Sequence, residues 1–215
     1  MPVVRSVAGP TGSLRERKKI LTRDKLEETA LRLFLEKGYD QVRVDDICAD
    51  TLVSQRTFFR YFASKEDLVL GRLRAHLLQA DRLFEACPAD EAPRDVLHTV
   101  IDHVAQDYVA EPERERIRLR LVSTTPSLEA GLLRVFAGFE RLVRDFTAAR
   151  MSTDAGATHA RLLAAAAVGA FRVALETWID DEAVENLPDL IAANLNVLTQ
   201  GLNDTSPGIS RRAVR

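Results

Sequence analysis

Apolar residues recur at helical spacing along most of the chain, and prolines and glycines cut the pattern into pieces one helix long. Between Thr22 and Lys37 the inward positions are Leu26, Ala30, Leu33 and Phe34, three or four apart, and Gly38 stops the run. Alternating β-branched stretches are rare, while Leu, Ala, Arg and Glu abound. An all-α fold is predicted. Thr22 is the expected cap of the first helix. A short helix is expected over 44–50, with Ile47 and Cys48 inward. Ser54 caps a third over 55–62, and Ser64 with Asp67 has the capping-box spacing that opens a long fourth over 65–86. Further helices are expected over about 94–109, 112–121, 127–150, 157–180 and 187–202. Their breaks are Pro112, Pro126, the DAG of 154–156 and Pro188.

At 215 residues and 46% hydrophobic composition, the chain can build one large domain or two small ones. The expected division is a flexible basic arm over 1–21, a three-helix head over 22–64, a helical body over 65–202 and a loose tail over 203–215. The arm holds RERKK at 15–19, which reads either as a solubilising tail or as a reach towards phosphates or a minor groove. The opening MPVVRSVAGP lacks the apolar stretch of a secretory signal, and the longest nearly apolar run, LLAAAAVGAF at 162–171, is too short to span a bilayer. A cytoplasmic protein with no membrane partner is expected. There Cys48 and Cys87 stay reduced, Cys48 as a core filler.

Enzyme chemistry finds no support. GPTGS at 9–13 lacks the lysine of a phosphate loop, and there is no GxSxG or HExxH. His98 and His103 are five apart and do not share a helix face, so no metal site and no cofactor are expected.

Charge is uneven. Residues 1–65 carry 13 basic and 9 acidic side chains, against 17 and 23 over 66–215. A basic head on an acidic body points to an anionic partner for the head. Within it, TLVSQRTFFRYFASK at 51–65 has no acid at all. On a helix over 55–62, Phe58 and Phe62 fall on one side with Tyr61 beside them. Arg56 and Arg60 fall opposite, flanked by Gln55, Thr57 and Phe59. One face suits a small core. The other offers guanidiniums, an amide and a hydroxyl, the groups that read base edges and hold phosphates. A carboxylate there would repel the DNA backbone. The short helix and tight turn before it complete a helix-turn-helix unit.

The stretch VDDICADTLVSQRTFFRYFASKEDL at 44–68 strongly resembles the DNA-binding head of TetR-type bacterial transcriptional repressors, and ALRLFLEKGYDQV at 30–42 resembles that family's first helix. The resemblance implies a homodimer that sets each recognition helix into a major groove of double-stranded operator DNA. It carries DNA contact onto Gln55, Arg56, Thr57, Phe59, Arg60, Tyr61 and Lys65, with Arg43 and Val44 at the start of the second helix. Leu52 stands where the family usually has a turn glycine, so a turn that needs φ > 0 is strained or differently shaped. Phe59 stands at a frequent tyrosine position, which leaves apolar contact in place of a hydroxyl.

In the body, Leu162 to Trp178 is apolar nearly all round, which calls for burial on most sides. With the amphipathic stretch after Leu187 it can form a four-helix interface across a two-fold axis, as the family does, with Ala166, Gly169, Leu195 and Leu198 as the expected contacts. The family's body holds an effector. Phe136, Phe139, Phe171 and Trp178 are candidate walls of an apolar pocket, or ordinary core residues. Arg172 either pairs with Glu176 one turn along, or receives the anionic head of an amphipathic ligand. The leading expectation is a repressor released from its operator by an apolar or amphipathic small molecule. The alternative is a DNA-binding regulator whose body binds another protein.

Overall fold

The computed structural model describes residues 13–88, 91–150, 154–181 and 186–200. These are α-helical with one short 3₁₀ turn, and no strand occurs among them. The helices are α1 (Leu14–Lys37), α2 (Val44–Thr51), α3 (Gln55–Tyr61), α4 (Lys65–Ala86), α5 (Pro93–Ala110), α6 (Pro112–Thr124), α7 (Pro126–Ala149), α8 (Asp154–Asp180) and α9 (Leu187–Gln200). The chain divides into two compact units, Met1–Gly71 and Arg72–Arg215.

Local chemistry sets most boundaries. Pro93, Pro112 and Pro126 each stand at a helix start, where the missing N–H costs nothing. Ser64 Oγ accepts from the Asp67 N–H at 2.9 Å, and Asp67 Oδ2 accepts from the Ala63 N–H at 3.0 Å, so the expected cap of α4 forms. Gly38 ends α1 at φ 84°, with its N–H on the Phe34 carbonyl.

Two starts differ from the sequence reading. The first helix begins at Leu14, not after Thr22, because Ser13 caps it by accepting from the Glu16 N–H at 3.3 Å. RERKK is therefore helical rather than part of a flexible arm. Thr22 sits inside the helix, its hydroxyl donating to the Lys18 carbonyl at 2.8 Å. The DAG of 154–156 lies within α8 instead of breaking the chain before it. Residues 1–12 of the expected arm and the expected tail lie outside the described residues.

In the first unit Leu26, Ala30 and Phe34 of α1, Ile47 and Cys48 of α2, and Phe58 and Phe62 make the core. Arg32 ties α1 to Asp50 of α2, and Lys25 Nζ donates to the Thr51 carbonyl at 3.2 Å. In the second unit α8 packs mainly on α7 and α9. Its span Gly156–Asp180 is long and apolar enough to cross a bilayer by composition, which the ten-residue run within it does not reveal. Here Ala164, Ala170, Ala174 and Trp178 of that span are buried inside the unit.

Candidate nucleic-acid interface and effector chamber

The recognition surface is built by a cap and a strained turn. Ser54 Oγ accepts from the Thr57 N–H at 3.1 Å and starts α3. The turn before it passes through Leu52 at φ 58°, ψ 39°, the left-handed region that glycine adopts without strain. The geometry is thus kept despite the leucine, whose side chain is 89% exposed and offers nothing to offset the strain. From this turn α3 emerges with Phe58 buried, its ring 5.6 Å from Phe62, while Gln55, Arg56, Phe59 and Arg60 are exposed and Thr57 and Tyr61 half-buried. That is the two-faced helix the sequence predicts.

The exposed groups are not equivalent. Arg56 has no carboxylate at ion-pair distance among the described residues. Gln55 Nε2 donates to Asp45 Oδ1 through one of its two N–H bonds, which fixes the amide and leaves the second N–H and the carbonyl oxygen to meet a base edge. Arg60 leans on its neighbour, its guanidinium 5.0 Å from the Tyr61 ring centre and Nη2 3.3 Å from the Tyr61 hydroxyl. Arg43 is exposed and Val44 half-buried at the head of α2, where the Arg43 N–H donates to Asp46 Oδ2. Lys65 has partners within the head that the sequence did not show. Its ammonium donates to the carbonyls of Tyr39 at 2.7 Å and Val42 at 3.0 Å and lies 4.1 Å from the Tyr39 ring centre. Burial lowers its pKa and raises that of Tyr39 to about 12. Lys65 braces the segment before α2 and has one donor left for a phosphate.

In the second unit, Phe136, Phe139 and Phe171 line a cavity of about 30 Å³ together with Phe84, Val104 and Val143. Every residue lining it is apolar. The Phe139 and Phe171 ring centres lie 6.4 Å apart. Trp178 is not part of the chamber. It is fully buried under the Arg116 guanidinium, 4.2 Å from its ring, so it is a core residue. Arg172 is also outside. It lies 53% exposed on α8, with Nε 3.6 Å from Glu176 Oε1, and lines a separate groove of about 200 Å³. Phe136 lines both spaces.

Of the expected dimer contacts, Ala166, Gly169 and Leu195 are half-buried and Leu198 is exposed. A Cβ added to Gly169 would meet nothing within 4 Å. Leu162, Val173 and Val197 are exposed beside them.

Sequence reasoning missed a polar network in the same unit. Glu115 and Arg118 are fully buried; Arg118 Nε lies 3.3 Å from Glu115 Oε2 and Arg72 Nε 3.3 Å from Glu115 Oε1. His76 Nε2 is 3.4 Å from Asp107, and its ring is 4.8 Å from that of buried Tyr108. Burial pulls the His76 pKa down to about 4, although Asp107 opposes the shift. The i, i+3 spacing of Glu115 and Arg118 was the available signal, but such pairs usually lie on solvated faces. Among the described residues no group of His, Cys, Asp and Glu could hold a metal ion, and Cys48 and Cys87 are free thiols.

Comparison with known proteins matches both units. Residues 27–71 fit the family described as bacterial regulatory proteins, tetR family, and residues 91–203 fit the MftR C-terminal domain. A protein of Mycobacterium tuberculosis named as mycofactocin biosynthesis transcriptional regulator MftR is 29% identical over 187 residues, 87% of this chain and 94% of that protein. The HTH-type transcriptional regulator TcmR of Streptomyces glaucescens is 36% identical, covering 71% of this chain and 70% of its own length. Among solved structures, the fatty acid degradation regulator FadR of Bacillus halodurans shares the fold at a TM-score of 0.60 and 17% identity, over 84% of this chain and 96% of that one. FadR of Bacillus subtilis, solved with stearoyl-CoA, does so at 0.57 and 18%, over 83% and 98%. A helix-turn-helix head with its acid-free polar face and an MftR-type helical body place this chain in the TetR family, as a DNA-binding transcriptional regulator and not an enzyme.

Proposed function

We propose that the protein is a homodimeric repressor of the cytoplasm that leaves its operator when a hydrophobic small molecule enters the phenylalanine-walled chamber. The observation that carries this reading is the chamber itself, a space inside the second unit lined only by carbon side chains. Such a site has no group to fix a polar substrate. It rewards a hydrocarbon segment, in proportion to the apolar area taken from water. The head group of an amphipathic effector would lie outside it. The groove bearing Arg172 is one exit, since Phe136 borders both spaces, but Glu129 and Glu176 also line that groove. Two carboxylates against one guanidinium do not favour an anion, so the charge of the head is no part of the proposal.

Homodimerisation is supported by the exposed apolar face of α8 and α9. Leu162, Val173, Val197 and Leu198 are large hydrophobic side chains left in water by the single chain. Each is already about half covered, so burying the rest is worth on the order of 1 kcal/mol apiece. A glycine in mid-helix with open space above it suits close approach by a second copy.

The second reading, a body that binds a protein, also has an observation behind it: about 30 Å³ holds only roughly two waters and no drug-sized molecule. One experiment separates the two. Alkyl compounds of rising chain length, each with carboxylate, hydroxyl and coenzyme A heads, are screened by thermal shift and then by operator release; long-chain acyl compounds come first because stearoyl-CoA occupies the Bacillus subtilis neighbour. Stabilisation that grows with chain length and releases DNA is the expected result. No response across the series would discard the small-molecule reading in favour of the protein partner.

A further inference from the structure

The first unit contains a second charged feature that the recognition helix does not account for. The first two turns of α1 and the end of α3 form the walls of a cleft of about 920 Å³. Arg15, Lys18 and Lys19 line one side, with Thr22 one turn further on. They occupy positions i, i+3, i+4 and i+7, a single face of the helix. Arg60 and Tyr61 line the other side. Four cations thus face one space, with Glu16 as the single carboxylate in its lining.

Three observations say what this space is for. Arg15, Lys18, Lys19 and Arg60 are exposed, and none has a carboxylate at ion-pair distance among the described residues. A charge run on a solvated helix is normally interleaved with acids at i+3 or i+4; here the cations are gathered and left open. They also sit at the wrong end of their helix. The N-terminus of α1 is the positive pole of the helix dipole, so cations in its first two turns oppose the helix that carries them. An anion in the cleft reverses both penalties at once. Finally, Arg60 is held on the cleft side by the Tyr61 hydroxyl and ring. That orientation suits a strand passing beside α3 better than a base edge in front of it.

We propose that this cleft seats the sugar–phosphate backbone of one operator strand, and that Arg60 is a phosphate contact rather than a base reader. The inference rests on the family's DNA-binding role and deepens it. Arg15 to Lys19 spans about 6 Å along the helix axis, against one charge per 3.4 Å of axis on a single DNA strand, so the stripe matches on the order of two successive phosphates. Sequence reading then falls to the groups outside the cleft, Arg56 and the Gln55 amide. The extended α1 works as a rigid second wall and not as an arm threaded into a minor groove.

Phosphate contacts and base contacts leave different signatures, which gives the test. The probes are a 30-base-pair duplex selected by the full-length protein from a random library, and a shuffled duplex of the same composition. Binding is followed by fluorescence anisotropy between 50 and 200 mM salt. The triple variant Arg15→Gln/Lys18→Gln/Lys19→Gln should bind both duplexes more weakly by the same factor, and its salt slope should fall by roughly two to three units. Arg60→Gln should lower the slope by roughly one unit and leave the preference between duplexes unchanged. Lys18→Arg/Lys19→Arg keeps the charge and should keep the slope. Glutamine is a good helix former and removes the dipole conflict, so the triple variant retains its fold. An unchanged slope in the triple variant overturns the cleft. Relaxed preference at one base pair in Arg60→Gln restores it as a base reader and overturns its assignment. Loss confined to duplexes with A·T-rich flanks would mean a minor-groove arm instead. Wild-type protein that binds neither duplex would remove the DNA-binding reading itself, a result distinct from all of these.

Discussion

Leu52 holds a conformation that costs a residue with a Cβ about 1–2 kcal/mol. Leu52→Gly removes that strain and adds unfolded-state entropy, for a net stabilisation on the order of 0.5–1 kcal/mol, read as a higher urea midpoint at unchanged slope. Leu52→Ala keeps the Cβ and should gain nothing; an equal gain from alanine would place the cost in the exposed side chain instead of the backbone. The strain was legible because a single position in a known turn demanded φ > 0. His76 was not legible, because nothing in its neighbours along the chain marks it as buried against Tyr108 of α5 and near Arg118 of α6. Its native pKa of about 4 lies below the ordinary value of 6.5, so the unfolded chain takes up a proton first as pH falls. Stability is therefore full above about pH 6.5 and is lost progressively down to about pH 4. Between pH 7 and pH 5 the loss should be about 2 kcal/mol, and His76→Gln should flatten that slope. A wild-type protein equally stable at both values would show that His76 is not held neutral. Lys65 and Trp178 have partners that the sequence did not reveal, for a related reason. Backbone carbonyls of Tyr39 and Val42 claim the first and the Arg116 guanidinium covers the second, and neither kind of partner leaves a sequence signature.

At the scale of elements, α3 and the start of α4 followed from caps, which act within four residues and so are written locally. The start of α1 was also written locally: Ser13 and Glu16 stand three apart, but the basic run after them drew the reading towards an arm. In α8 the apolar circumference calls for two covers, and the single chain supplies one, leaving Leu162 and Val173 exposed. Gly169 gives the sharpest test of the second cover. A mid-helix glycine costs roughly 0.8–1 kcal/mol against alanine, and within one chain nothing occupies the space where a side chain would go. Gly169→Leu should therefore leave the isolated subunit folded and at least as helical, yet hold a second copy away. Light scattering should return about twice 24.0 kDa for the wild type and about 24.0 kDa for the variant at micromolar concentration. A variant that stays dimeric would move the interface off this stripe, and a monomeric wild type would remove it altogether.

For the whole molecule, the small size of the chamber makes regulation a question of populations. A ligand-sized space is several hundred Å³, so about 30 Å³ is too small for an effector, and on the proposed reading rings must turn aside before one enters. An effector of that kind would shift the protein only by its preference for the opened state, and its apparent affinity would be reduced by the rarity of that state. Phe136 is the place to alter that rarity, because it separates the chamber from the groove beside Arg172 and is only half-buried, so its removal spares the core. Phe136→Ala should bind a long-chain effector roughly tenfold more tightly. By reciprocity it should also weaken ligand-free operator binding, since the same opened state is now more populated without ligand. Arg172→Met should do neither, because its guanidinium faces Glu176 outside the chamber. Isothermal titration for the ligand and anisotropy for the operator read the two halves separately. If Phe136→Ala changed effector affinity while operator affinity stayed at the wild-type value, opening of the chamber and release of DNA would be separate events, and the repressor would need a different switch.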